Sequence, residues 1–225
     1  MDNARVLGVD ACRKGWIGVA GDLRAYFGRT IGELVERASM DGELAVVGID
    51  IPIGLPLVGI RQAEKLARKV VGRRSSSVFP VPARRAVEAA DYAAASALNL
   101  EATGNKLNRQ SFALAQKILD VDRWTAPCPV IEVHPEVSFA TMAGRPLMYS
   151  KSTWAGGEER RRLLESVGMG ISGDIGPAGR EAGVDDVLDA VAVAWTAKRY
   201  ADGRALSYPD PPEVLDDGSS AAIWA

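Results

Sequence analysis

Four acidic residues interrupt segments that are otherwise apolar, and these are the residues best suited to chemistry. They are Asp10, Asp50, Glu132 and Asp189. Removing an ionised carboxylate from water costs on the order of several kcal/mol unless a partner, a metal ion or hydrogen bonds offset that cost. One such acid is readily explained as a strand-end residue that caps a neighbouring helix. Four in one chain favour a shared site.

Two further acids begin the segment that contains Asp189. Asp186 and Asp189 are three residues apart, so a helix places both on one face. Asp185 is better explained as the N-cap of that helix than as a ligand. Asp189 lies one turn further in, where capping no longer explains a carboxylate, and it is therefore the stronger candidate.

A cluster of carboxylates predicts a site for hard divalent cations. Like charges a few ångströms apart repel, so some would take up protons unless a cation lay between them. Oxygen ligands select Mg²⁺ or Mn²⁺, and two such ions can clamp a phosphodiester during in-line displacement. The chain has one histidine and two cysteines, which argues against a zinc site and against a disulfide framework.

The elements that must position these acids begin with a strand, a hairpin, a helix and another strand. Apolar runs and turn signals place the strands at residues 5–10, 15–20, 23–27 and 44–50, and Thr30 caps a helix that extends to about Met40. A right-handed crossover then makes the first and fourth strands parallel neighbours. Parallel strands end along one edge of the sheet, where sites of α/β proteins form.

The remainder of the chain is mostly helical, with one more buried strand at 130–133. We predict a single domain over residues 1–225, with a helical insertion at about 61–125 between strands 4 and 5 and an irregular tail at about 203–225. Helices are expected at 61–72, 86–100, 109–123, 158–167 and 185–200.

The charge distribution points to an anionic partner. Residues 61–85 carry eight basic residues and one acid, whereas the whole chain has a net charge of −2. A positive segment on an acidic body suits a phosphate group, although a solvated helix face explains it equally well. The candidate substrate-binding residues are Arg73, Arg74, Ser76, Arg84, Lys106, Lys151 and His134.

The ordered set of motifs resembles a known family. The chain is similar to the domain of unknown function 429 family, whose members are described as predicted ribonuclease H-like nucleases. The Asp-x-x-Asp helix is most similar to the Holliday-junction resolvase branch of the ribonuclease H-like superfamily. The matching stretches, given by their first and last residues, are Gly8–Asp10 with Arg13, Gly15 and Trp16; Gly48–Gly54; Ser76–Phe79 with Pro82 and Arg84; Glu132–Glu136; and Asp185–Ala190.

This resemblance implies a ribonuclease H-like mixed sheet with strand order 3-2-1-4-5 and flanking helices. It implies that the catalytic metal ligands are drawn from Asp10, Asp50, Glu132, Asp186 and Asp189, with the choice between Asp50 and Glu132 left open. The expected function is a phosphodiester hydrolase, a nuclease that uses two Mg²⁺ or Mn²⁺ ions. DNA, RNA and a small phosphoester all remain open as substrates.

Two other functions compete with the nuclease. Sugar kinases and actin-like ATPases also begin with Gly-x-Asp and a hairpin, but they need two copies of the fold and more than about 300 residues. A non-catalytic nucleic-acid-binding or scaffold protein with a vestigial site is the remaining alternative. The oligomeric state also stays open, with a homodimer as one arrangement because junction-cutting relatives act as dimers.

Composition predicts a globular cytoplasmic protein. Hydrophobic residues make up 47% of the chain and charged residues 25%. No charged-then-apolar leader begins at Met1, and no apolar run approaches the length of about 20 residues that a membrane span requires. A membrane partner is therefore not expected.

Overall fold

A seven-stranded mixed sheet forms the centre of the molecule. The computed structural model describes residues 4–225, so the expectation about a leader at Met1 lies outside the described residues. The strands are β1 (Val6–Cys12), β2 (Gly15–Ala20), β3 (Ala25–Gly28), β4 (Val46–Ile49), β5 (Val130–Val133), β6 (Ser207–Val214) and β7 (Ser220–Trp224). Their order across the sheet is β3-β2-β1-β4-β5-β7-β6.

Parallel pairing in the middle of the sheet brings the carboxyl ends of three strands together. Strand β4 pairs in parallel with β1 on one side and with β5 on the other, as a right-handed crossover requires. The predicted parallel pairing of the first and fourth strands is therefore confirmed. Antiparallel hairpins form the two sides of the sheet, β1-β2-β3 on one and β6-β7 on the other.

Helices cover both faces of the sheet. They are α1 (Ile31–Ser39), α2 (Gln62–Val71), α3 (Arg84–Val87), α4 (Tyr92–Thr103), α5 (Arg109–Ala113), α6 (Ala115–Asp122), α7 (Pro135–Ala143), α8 (Trp154–Ser166) and α9 (Val184–Ala201), with 3-10 helices at Gly72–Ser77 and Gly176–Arg180. Helices α1 and α6 share a core with Leu7, Val9 and Ile49 on one face. Helix α9 packs on the opposite face, against Val6 and Val46.

The structure corrects the predicted elements in four places. The helix expected over 86–100 is divided between α3 and α4, the one over 109–123 is interrupted at Leu114, and α7 was not expected. The tail is not irregular, because β6 and β7 extend the sheet beyond the predicted five strands. Proline-rich β6 lies at the edge of the sheet. Proline, which has no N–H, is tolerated there because one side of an edge strand has no neighbouring strand to bond.

None of the helices within residues 4–225 combines the length and the apolar composition needed to cross a bilayer.

Candidate functional site

A cleft of about 450 Å³ opens at the carboxyl ends of β1, β4 and β5. Five of its lining residues carry the candidate chemistry, namely Asp10, Asp50, Asp186, Asp189 and Lys151. The floor comes from the sheet, one wall from α9, and another from the polypeptide around the 3-10 helix at Gly72–Ser77. This is the sheet edge that the sequence indicated.

Strand register places Asp10 and Asp50 side by side. The Asp50 N–H donates to the Val9 carbonyl at 2.9 Å, which continues the β1–β4 ladder by one residue. Since side chains alternate along a strand, Asp10 lies on the same face as Val6 and Gly8, the face that α9 covers. Asp50 follows Gly48 on that face.

Helix α9 can approach closely enough to add Asp189 because β1 has a glycine opposite it. A Cβ on Gly8 would lie 2.0 Å from the Ala194 nitrogen and 2.3 Å from the Ala190 carbonyl oxygen. The close contact places the buried Asp189 carboxylate, one residue before Ala190, beside the end of β1. Glycine is therefore needed at position 8 for the close packing of α9 on β1, a requirement that the Gly-x-Asp motif alone did not reveal.

Burial raises the proton affinity of the three aspartates, and repulsion from neighbouring aspartates adds to it at two of them. Burial raises the pKa of Asp10 well above its ordinary value, and repulsion from Asp50 and Asp189 raises it further. Burial, with repulsion from Asp189, raises the pKa of Asp50 to about 6, although His134 opposes the increase. Burial also raises the pKa of Asp189. The cluster is thus a buried site at which negative charge is disfavoured.

Lys151 is the cation in direct contact with this cluster. Its Nζ donates to Asp189 Oδ2 at 2.6 Å and lies 4.0 Å from Asp185 Oδ2. Burial alone would lower the pKa of Lys151, but the neighbouring Asp189 raises it above its ordinary value. The ammonium therefore stays charged and partly neutralises the aspartates.

Glu132 also lines the cleft, but its carboxylate is engaged by other groups. Arg61 Nη2 donates to Oε1 at 2.7 Å, and Oε2 accepts from Arg61 Nη1 at 2.9 Å and from the Ile53 N–H at 2.7 Å. The reason is register: Glu132 pairs with Ile49, whose side chain lies on the α1 side of the sheet. Glu132 and Asp50 therefore leave the sheet on opposite faces.

Arg61 fastens the loop that follows Asp50. Its Nη1 also donates to the carbonyls of Ile53 and Gly54, at 2.8 and 3.0 Å, and the guanidinium forms an ion pair with the buried Glu64. Together, Arg61 and Glu132 thus hold the loop that follows Asp50 against β5.

The acids at the start of α9 have capping and surface roles. Asp186 Oδ2 accepts the Gly183 N–H at 2.9 Å, and Gly183 is the N-cap residue. The expectation that Asp185 is the N-cap is therefore wrong, since Asp185 is exposed in the first turn. Asp186 lines the cleft with one carboxylate oxygen already engaged.

His134 is held by the backbone on both sides of its ring. Its Nδ1 accepts the Glu136 N–H at 3.2 Å and caps α7, so Nε2 carries the proton and donates to the Ser77 carbonyl at 3.2 Å. This arrangement ties the start of α7 to the 3-10 helix. In this orientation of the ring, both nitrogens are engaged in hydrogen bonds.

The candidate substrate-binding residues divide into two groups. Arg74, Ser76, Lys151 and His134 line the cleft. Arg73, Arg84 and Lys106 do not, and Arg84 forms an ion pair with Asp122 at 2.8 Å. The basic segment is therefore dispersed, with Arg61 buried beneath the sheet end and Arg74 at the cleft.

Sequence reasoning missed a second buried ion pair in the cleft wall. Arg160 Nη2 donates to Glu136 Oε2 at 2.5 Å, and Arg160 Nη1 donates to the Tyr149 carbonyl at 3.3 Å. Two buried carboxylate oxygens, Glu136 Oε1 and Glu64 Oε2, have no hydrogen-bond partner within the described chain. No sequence signal separates the buried Arg160 from Arg161 and Arg162, the more exposed arginines that follow it on α8.

The donor chemistry of the cluster fits a hard divalent cation. Asp10, Asp50 and Asp189 supply only carboxylate oxygens, the ligands that Mg²⁺ and Mn²⁺ prefer, and burial raises the pKa of each. As these side chains stand, with Lys151 among them, no three acidic, histidine or cysteine residues within residues 4–225 are arranged to hold one ion. Ligation would therefore require the carboxylates to draw together.

Comparison with known proteins gives one match. The family model described as "Protein of unknown function (DUF429)" matches residues 8–214. No curated protein and no solved structure matches the chain.

Proposed function

The chain belongs to the DUF429 family of proteins of unknown function, and from the geometry of its cleft we propose that it is a metal-dependent phosphodiester hydrolase. The observation that carries the proposal is the convergence of Asp10, Asp50 and Asp189 on one cleft. Each has a pKa raised by burial, and repulsion from Asp189 adds to the increase at Asp10 and Asp50. A folded protein that keeps such mutual repulsion is suited to binding a cation there.

The architecture supports a ribonuclease H-like site. The first five strands follow the order 3-2-1-4-5, and the additional pair β7-β6 extends the sheet beyond β5. Asp10 lies on β1, Asp50 directly after its parallel neighbour β4, and Asp189 on the long helix that packs across both strands. Asp10, Asp50 and Asp189 are our proposed ligands, with the cleft-lining Asp186 as a fourth and Glu132 as a positioning residue.

Mg²⁺ or Mn²⁺ bound at these carboxylates would supply charge stabilisation and water activation for in-line displacement at phosphorus. Arg74, Ser76 and Lys151 lie around the same cleft, where they can bind phosphate oxygens. Hydrolysis would form a phosphorus–oxygen bond to water and break the bond to the ester oxygen, which takes up a proton as it leaves. Candidate substrates are a nucleic acid and a small phosphoester.

A second function, non-catalytic binding of nucleic acid or a scaffold role, has one observation in its favour. Lys151 already forms an ion pair with Asp189, and the aspartates do not form a closed ligand group within the described residues. A vestigial site neutralised by an internal lysine would have this form. Metal binding separates the two functions.

The first experiment measures thermal stability and cleavage together. Purified wild-type protein would be titrated with Mn²⁺ and Mg²⁺ and incubated with labelled single-stranded, duplex, hybrid and branched DNA and RNA, and with bis(p-nitrophenyl) phosphate. We expect metal at 100 times its Kd to stabilise the fold by about 2.7 kcal/mol. Cleavage should be lost in both Asp10→Asn and Asp189→Asn.

Three outcomes bear on the proposal. Metal binding with cleavage that both substitutions abolish would support the hydrolase. Cleavage that survives both substitutions would come from a contaminating nuclease or from another site, and it would contradict cleavage at Asp10 and Asp189. Metal binding to neither wild type nor variants would favour the scaffold role instead.

A further inference from the structure

The segment between α7 and α8 carries Lys151 over the cleft on a backbone that is held in place. Arg74 Nη2 donates to the Met148 carbonyl at 2.7 Å, and Glu159 accepts the N–H groups of Met148 and Tyr149. These contacts come from the 3-10 helix and from α8. The backbone is therefore constrained, and the part of Lys151 that can move is its side chain.

The Lys151 ammonium lies where a cation for this cluster is needed. It contacts Asp189 at 2.6 Å, and its positive charge acts on Asp10 and Asp50 as well. A divalent ion bound by the same three carboxylates would place two positive charges beside the ammonium. Like charges this close repel strongly in a medium less polar than water, so the metal ion and the ammonium compete for the cluster.

The Lys151 side chain also has space in which to change its rotamer. It is 46% exposed, whereas the Asp189 side chain that it contacts is 5% exposed. Rotation about its χ angles therefore carries the ammonium towards the cleft mouth without moving a buried group. Arg74 and Ser76 line the same cleft, so a phosphate group held there would meet the released ammonium.

We propose that Lys151 occupies two positions: in the metal-free protein it is the resident cation on Asp189, and divalent metal displaces it towards the cleft mouth, where it binds a substrate phosphate oxygen. The inference rests on the proposed function, since it concerns the same carboxylates. It also accounts for the absence of a closed ligand group within residues 4–225, because the carboxylates can draw together only after the ammonium leaves.

The test compares Lys151→Met with Lys151→Arg and with Lys14→Met. Methionine keeps much of the length of lysine without its charge, and arginine keeps the charge. Lys14 provides a matched control, because it forms an ion pair with Glu181 at 2.8 Å outside the cleft. Mn²⁺ affinity would be measured by electron paramagnetic resonance and calorimetry on the full chain, and binding of inorganic phosphate by calorimetry with and without Mn²⁺.

We expect Lys151→Met to bind Mn²⁺ about tenfold more tightly than wild type, within the range of ordinary coupling between two sites. We also expect it to lower the thermal midpoint of the metal-free protein and to weaken phosphate binding by about fivefold in Mn²⁺ only. Lys151→Arg and Lys14→Met should bind Mn²⁺ no more tightly than wild type.

Unchanged or weaker Mn²⁺ binding by Lys151→Met, with wild type binding the ion, would overturn this inference and leave the proposed function standing. Tighter Mn²⁺ binding with unchanged phosphate binding would overturn the second position of the lysine. If neither wild type nor Lys151→Met binds Mn²⁺, the metal site itself is wrong, and the proposed function falls with the inference.

Discussion

Asp50→Asn should make the metal-free protein more stable, although it removes a proposed ligand. Asp50 is partly buried at the end of β4, and burial together with Asp189 raises its pKa from 3.8 to about 6. A carboxyl group whose pKa is higher in the folded than in the unfolded state destabilises the folded protein as it ionises. The free energy of unfolding therefore falls as the pH rises from the unfolded-state pKa to the folded-state pKa. The penalty is then constant above about pH 6.

The size of this effect follows from the pKa. Raising it from 3.8 to about 6 corresponds to about 3 kcal/mol at pH 7, and partial exposure of the side chain reduces this to about 1–2 kcal/mol. For a chain of 225 residues that gain raises the thermal midpoint by roughly 2–8 °C. Near pH 4 the carboxyl is largely protonated in the folded state, so the difference from asparagine should disappear.

Urea denaturation in a chelator at pH 4, 5, 6, 7 and 8 would measure the change, with Asp216→Asn as a control at an exposed acid. We expect the gain to appear between about pH 4 and 6 and to remain constant above it. Addition of Mn²⁺ should stabilise wild type more than Asp50→Asn. An Asp50→Asn protein that is no more stable than wild type at pH 7 would refute the electrostatic account of the cluster.

Three other changes test the scaffold around the cleft. Arg61→Met should cost about 3–5 kcal/mol in urea denaturation, because it leaves the buried Glu132 carboxylate without its cation; a loss below about 1 kcal/mol would contradict the positioning role. Gly8→Ala should lower stability by at least about 1–3 kcal/mol and weaken Mn²⁺ binding, since its Cβ would lie 2.0 Å from the Ala194 nitrogen; wild-type values for both would show that α9 shifts at no cost. Deletion of residues 204–225 should abolish cooperative thermal unfolding, because it exposes the β5 edge that β7 pairs with; a sharp, wild-type transition would show that the last two strands are dispensable.

Local patterning was sufficient to predict the α/β class and most of the first half of the sheet. The apolar runs around Val6–Val9 and Val46–Ile49, separated by a hairpin and a capped helix, permit few arrangements, because a right-handed crossover makes these two strands parallel. The acids that follow them then share one sheet edge. Asp10, Asp50 and Asp189 could be selected because a carboxylate in an apolar segment contradicts its surroundings.

Elements whose sequence lacks a periodic signal were not predictable. Proline-rich β6 resembles an irregular tail, and it is a strand because edge pairing with β7 tolerates proline. Helix α7 begins directly after β5 at Pro135, within a segment too short and too apolar to show helical periodicity. Both depend on partners that are distant in sequence.

Only the tertiary structure distinguishes the surroundings of Asp50 from those of Glu132, whose carboxylate accepts hydrogen bonds from Arg61. Asp50 follows an apolar strand and Glu132 interrupts one, so neither composition nor spacing distinguishes the two acids as candidate ligands. Side-chain direction alternates within a strand, but the register between β4 and β5 determines which alternate residues share a face, and that register pairs Glu132 with Ile49. The same distinction holds for the buried cations Arg61 and Arg160: a charged residue on an amphipathic helix looks solvated in sequence, and long-range packing alone places it against a buried carboxylate.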